Sequence, residues 1–255
     1  MWEWLSAPID PARAHEVGLL VSWHARMMVL AWGVLAPLAV IFARFFKIMP
    51  RQNWPVELDH PFWWRCHWIG QSAVFVLSIV GFALVLPPDF QALSTHTALG
   101  YLLLLGLVAQ VMLGIFRGNK GGPTELRKQG SMRGHHYDMT GWRRMFEWLH
   151  KSLGYALLAL SVAVIALGLW KANAPLWMWG VLGIWWCFLV GLYSALQKRG
   201  MAVDTYQAIW GPDPSHPGNR LPAPGWGVQR PANLLSGTGA DVDNLMPDGQ
   251  HTAPK

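Results

Sequence analysis

The chain has 255 residues, 53% of them hydrophobic and only 13% charged, against roughly 25% charged in an average soluble domain. Its formal net charge of +6 matters through its distribution rather than its size. Cys66 and Cys187 lie in apolar stretches without CxxC or CxxCH spacing, which argues against a disulfide scaffold, a structural zinc site and covalent c-type haem. No GxGxxG or Walker-type loop occurs, so nucleotide chemistry would need a partner.

Residues 1–16 form a short segment carrying Glu3, Asp10 and Glu16. Without a basic n-region or a small-residue cleavage site, it does not read as a signal peptide. Asp10 and Pro11 read as the N-cap and first residue of the first helix. Five runs reach the length of about 20 residues that crosses a hydrocarbon core. They are residues 17–45, 62–86, 94–116, 146–170 and 176–197. Pro37 is expected to kink the first, Pro87-Pro88 to end the second and Pro175 to open the fifth. Tryptophans gather at the ends of these runs (Trp63, Trp64, Trp68; Trp170, Trp177, Trp179), as in headgroup-level aromatic belts. Residues 198–255 turn rich in Pro and Gly, and a disordered cytoplasmic tail is expected there, with room for a short surface helix over Asp204–Trp210.

Lys and Arg fall on one side. The connection from Arg44 to Arg65 carries Arg44, Lys47, Arg51 and Arg65, and Lys198 and Arg199 follow the fifth run. Between these, Arg117–Arg144 carries seven basic residues. The opposite side offers little beyond Arg13 and Lys171. The positive-inside rule then puts the N-terminus outside and the C-terminus in the cytoplasm, the outside being the periplasm if the membrane is, as expected, a bacterial inner membrane.

Four histidines stand a short way inside four successive runs: His24, His67, His96 and His150. Ionisable residues inside a membrane segment are rare and costly, so each is a functional candidate. Because consecutive helices alternate direction, His24 and His96 fall toward one face, and His67 and His150 toward the other. That is the layout of two bis-histidine haem sites with no coordination position left open, suited to electron transfer. A zinc or copper site would need ligands converging on one atom, whereas these form two separated pairs. The fold class expected is an all-α membrane protein of five transmembrane helices, the first four forming a haem-binding four-helix bundle over residues 17–197.

The same residues resemble the cytochrome b561 family. His24, Met27 or Met28, Ala31-Trp32-Gly33, Pro37 and Ala43-Arg44-Phe45 are similar to its opening core helix. Trp64 and His67 with Gln71, His96 with Gly100 and Gln110, and His150 with Gly154-Tyr155 look like its later helices. The likeness is to the core of bacterial and DOMON-linked forms, without a DOMON domain. Ala25 stands where the family commonly has Gly. The resemblance implies two non-covalent b haems, ligated by His24–His96 and His67–His150, and electron transfer across the membrane.

Arg26, two residues beyond His24, is a candidate for the outer haem's propionates, and Arg143, Arg144 and Lys151 for those of the inner haem or an anionic donor. His135-His136-Tyr137-Asp138, in the long 118–144 connection, could hold a metal, although adjacent histidines more often do not. The expected partners are the bilayer and a small-molecule or redox-protein donor and acceptor, with no nucleic acid. A homodimer is compatible with this reading. Ferric chelate, ascorbate-type, quinone and superoxide substrates all stay open. So do a quinone-coupled cytochrome subunit of a partner dehydrogenase and a haem-free transporter or structural protein.

Overall fold

A computed structural model describes residues 2–86, 93–122 and 135–231. Among the described residues the regular structure is helical throughout, with no sheet. A short α1 (Trp2–Ser6) precedes the first span, which runs as α2 (Leu19–Met28), a π-helical segment (Val29–Leu35) and α3 (Ala36–Phe45). Then come α4 (Phe62–Ala83), α5 (Thr95–Ile115), α6 (Gly141–Lys171) and α7 (Leu176–Lys198). Five helical stretches are therefore long and apolar enough to cross a membrane.

The π segment has an identifiable cause. Pro37 has no N–H to donate to the Gly33 carbonyl one turn earlier, and the helix widens ahead of it. The Gly33 oxygen instead accepts the Trp185 indole N–H at 2.8 Å, which ties α7 to the outer flank of the first span. Sequence patterning expected a simple kink here; the chain resolves the same conflict by widening.

The spans pack as two pairs. The first span lies on α4, and α5 lies on α6. The pairs meet mainly at mid-depth, where the π segment packs on α6 around Ala31, Trp32, Val74, Leu103, Leu107 and Leu157. Trp32 donates its indole N–H to Ser78 there, so this buried polar group is satisfied. Gly70 permits the close approach of α4 to α3: a Cβ on it would stand 2.9 Å from that of Ala39.

Three boundaries differ from the patterning. Asp10 and Pro11 do not open the first helix. The Asp10 carboxylate caps a local turn by accepting from the Ala12 N–H and Arg13, and the helix begins only at Leu19, after Gly18. The fourth span starts at Gly141, with Thr140 as its N-cap, five residues ahead of the apolar run. Arg143 and Arg144 mask that first turn from a hydropathy reading, although they are good helix formers.

The expected disordered tail is the third correction. Residues 199–231 fold back across the end of the bundle that carries the Arg44–Arg65 connection, with α8 (Thr205–Trp210) capped by Asp204 as the short helix of that region. Ala202, Asp204, Tyr206 and Gln207 are buried. A composition poor in aliphatic residues is held here by hydrogen bonds and an ion pair, which hydropathy does not register. Residues 232–255, and Pro87-Pro88, lie outside the described residues.

Candidate functional site

His24 on α2 faces His96 on α5, and His67 on α4 faces His150 on α6. Both pairs span the seam between the two helix pairs. The ring centres stand 6.3 Å apart in the first pair and 6.1 Å in the second, with the planes crossed at 87° and 77°.

Three of the four rings are held by backbone oxygens. The Nδ1 of His24 lies 2.8 Å from the Gly81 carbonyl, that of His96 3.0 Å from Val164, and that of His67 3.4 Å from Ala39. An Nδ1–H donated to a carbonyl fixes the tautomer and leaves Nε2 as the lone-pair nitrogen. The Nδ1 of His150 is buried and has no partner. Its own carbonyl accepts the Gln110 side chain at 2.8 Å, which anchors this turn of α6 to α5.

The two levels are well separated. On α4, Gly81, whose carbonyl holds His24, stands fourteen positions after His67; on α6, Val164, whose carbonyl holds His96, stands fourteen positions after His150. At a rise of about 1.5 Å per residue, each gives about 21 Å along the axis. Gly168 lets the His96 ring lie against α6, since a Cβ there would stand 3.1 Å from the ring.

The donors suit a bis-imidazole metal complex. A metal–imidazole bond of about 2.0 Å, with about 1.2 Å from that nitrogen to the ring centre, puts two rings on opposite sides of one metal about 6.4 Å apart. Among the described residues no group of three or more His, Cys, Asp or Glu could hold a metal by itself. A cofactor that brings its remaining ligands with it, as a haem would, suits two imidazoles alone.

The flanking cations divide. Arg143 and Lys151 both reach Glu147 on α6, at 3.1 and 2.9 Å, rather than standing open to an anion. Arg144 has a buried Nε without a partner. Arg26 is exposed and lies over the Trp23 ring, 5.1 Å from its centre. Arg117, at the end of α5, stacks on Trp64 at 4.0 Å, one turn ahead of His67.

Glu147 was not singled out by sequence reasoning, nor was the fate of His136. The Glu147 carboxylate is 4% exposed and faces Arg143, Lys151 and His136. His136 is wholly buried, 3.6 Å from Glu147, with neither ring nitrogen hydrogen-bonded. Burial, with Arg143 adding to it, pushes the His136 imidazolium down to about 3, so the ring is neutral at pH 7. His135 lines a groove with Phe116 and Trp142, so the adjacent histidines do not converge on one metal. The signal for Glu147 was present: it is the single acidic residue in the five spans, with cations four residues away on both sides.

Fold and site define a multi-pass helical membrane protein with two facing histidine pairs, one toward each end of its first four spans. Comparison with curated proteins shows what the chain is similar to. The chain is 27% identical over 168 residues to ferric-chelate reductase 1 of Homo sapiens and 27% over 158 to a putative ferric-chelate reductase 1 of Xenopus laevis. To a cytochrome b561 and DOMON domain-containing protein of Arabidopsis thaliana it is 29% identical over 155 residues. These alignments cover 64%, 59% and 59% of this chain but only 24%, 23% and 28% of the relatives, so the chain spans about a quarter of the length of the curated relatives it matches. No family model and no solved structure matches it. The chain is related to the cytochrome b561 family, which implies haem b and points to electron transfer across the membrane.

Proposed function

We propose that the protein carries single electrons across its membrane through two bis-histidine b haems, one held by His24 and His96, the other by His67 and His150. The observation that carries this reading is the pair of facing imidazoles at 6.3 and 6.1 Å. A haem held by one such pair would supply a one-electron couple and, with both imidazoles engaged, would exchange electrons without binding oxygen or substrate.

The chain's own part is orientation and exclusion of water. The Gly81, Val164 and Ala39 carbonyls turn their imidazoles so that Nε2 faces the partner helix. The apolar centre around Trp32, Val74 and Leu107 keeps water and ions out of the seam between the two levels. Arg144, with its unpartnered Nε, is the residue we assign to an inner propionate. Arg143 and Lys151 act instead to neutralise Glu147.

The one-sided Lys and Arg support an orientation with the N-terminus outside and the C-terminus in the cytoplasm. Electrons then enter from a cytoplasmic or membrane donor at the His67–His150 end and leave at the His24–His96 end. The similarity to animal ferric-chelate reductases makes a ferric chelate the first acceptor to try. The test is a dithionite-reduced minus oxidised spectrum of detergent-purified protein with haem quantified per chain, followed by re-oxidation with ferric citrate. Two b haems per chain are expected. A colourless protein made with ample haem supply would leave a transporter or structural role.

A further inference from the structure

The inner end of the bundle is covered by its own C-terminal segment. After Gly200, whose φ of +73° turns the chain sharply out of α7, residues 201–231 cross back over the helix ends around His67 and His150. The crossing is fixed by cations of the bundle, each bound to a carbonyl oxygen of the segment. Arg44 donates to the Trp226 carbonyl at 2.7 Å, Lys47 to Val203 at 2.8 Å, and Lys151, next to His150, to Pro224 at 2.7 Å.

The segment is clipped closed at its base. Asp204 and Arg230 form an ion pair of 2.7 Å with side chains 1% and 9% exposed. Arg230 donates further to the Gly218, Asn219 and Leu221 carbonyls. The backbone pairs beside it, Asp204 N–H to Gln229 and Gln229 N–H to Ala202. At the far tip, Gly225 and Gly227 take φ of +124° and +60° on either side of Trp226. That hook aims the Trp226 carbonyl at Arg44 and leaves the indole 62% exposed.

A full positive charge bonded to a neutral carbonyl is the weaker of its available arrangements, since charge-assisted bonds to anions are about twice as strong. Three such bonds hold the segment down together with the burial of Ala202–Ile209, the Gln197–Gly227 and Asp59–Ala208 hydrogen bonds and the Tyr206–Tyr137 bond, and one buried ion pair holds it in shape. We propose that residues 201–231 are a gate over the inner electron-entry site, latched by Asp204–Arg230, which must lift before a water-soluble donor reaches the His67–His150 end. This rests on the electron-transfer reading above.

The experiment uses full-length protein in lipid nanodiscs. Three samples are compared with the unmodified protein: Asp204→Asn, Arg230→Gln, and folded protein nicked by trypsin at the exposed Arg220, which involves no folding step. Opening is read by acylation of Lys47 with a water-soluble N-hydroxysuccinimide ester, quantified by mass spectrometry, and entry by the stopped-flow rate of haem reduction by dithionite. Losing one partner of a buried pair favours the open state, so Lys47 labelling should rise by at least about tenfold. The slow phase of reduction should accelerate in the same samples, with midpoint potentials unchanged. An unchanged rate wherever Lys47 becomes reactive would overturn the gate, as would Lys47 protected in all three samples or freely reactive in the unmodified protein. A protein without haem would overturn the parent reading instead, and labelling, which needs no cofactor, separates the two failures.

Discussion

The two ends of the bundle present nearly the same facing imidazoles and surround them with different physics. At the end of His24 and His96 the buried closing contacts are neutral, and the one ion pair there among the described residues, Asp10 with Arg13, is partly exposed. Asn173, with φ of +48°, accepts from the Asp10 N–H and donates to the Asp10 and Arg13 carbonyls, pinning the N-terminal segment to the turn between α6 and α7. His15 adds a contact to the Ala172 carbonyl. At the end of His67 and His150 the closing contacts are ionic and buried: Glu147 with Arg143 and Lys151, Asp204 with Arg230, and Lys47 on a carbonyl. Ring geometry is therefore set by the helices, while the surroundings make one end insensitive to charge and the other dependent on it.

The largest effect should come from the four paired histidines. His67→Leu or His150→Leu is expected to remove one of two haems per chain and spare the other, and His24→Leu or His96→Leu to do the reverse. Haem quantified per chain, with the α-band shape, checks this. Loss of both haems from any single change would mean that the ends are not independent.

Glu147→Gln comes next. It leaves Arg143 and Lys151 without their carboxylate in a buried place, a change that costs about 3–5 kcal/mol when one partner of a buried pair is lost. Thermal unfolding in detergent should show a large fall in midpoint, with the His24–His96 haem outlasting the other. Equal loss at both ends would erase the contrast.

Acid should act on the His67–His150 end as well. The folded protein keeps His136 neutral down to about 3, whereas an unfolded imidazole takes a proton near 6.5. The unfolded chain then binds more protons between these limits, so this contribution is intact above pH 6.5 and is lost as pH falls toward 3. The slope is at most about 1.4 kcal/mol per pH unit. Stability measured against pH should flatten in His136→Phe, and an unchanged slope would remove His136 from the account.

At the neutral end, Asn173→Ala is expected to cost about 1–3 kcal/mol through unsatisfied buried groups, with no added pH dependence. Arg13→Ala removes only a partly exposed pair with Asp10 and should cost no more than about 1 kcal/mol. A larger cost at Arg13 than at Glu147 would invert the comparison.

The spans and the four histidines were legible because a membrane allows few ways to bury a polar side chain, and an imidazole repeated in successive apolar runs stands out. Pro37 announced a disturbance, but its form depends on Trp185 reaching the Gly33 carbonyl from a helix about 150 residues later. The start of α6 was hidden because it carries Arg143 and Arg144, and the charge of Arg143 is met by Glu147 only once the helix brings them together. The C-terminal segment read as disordered because its order rests on carbonyl oxygens, which every residue carries and no composition records. Asp204 and Arg230 lie 26 residues apart, with nothing in the chain between them to mark the pair.

The central claim is that each facing pair holds one haem. The most direct test is haem quantified per chain, by reduced-minus-oxidised spectroscopy, in the unmodified protein and in His67→Leu side by side. The account predicts two b haems per chain falling to one, with the remaining haem still low-spin and bis-histidine. No haem in the unmodified protein, or two haems persisting in His67→Leu, would contradict it.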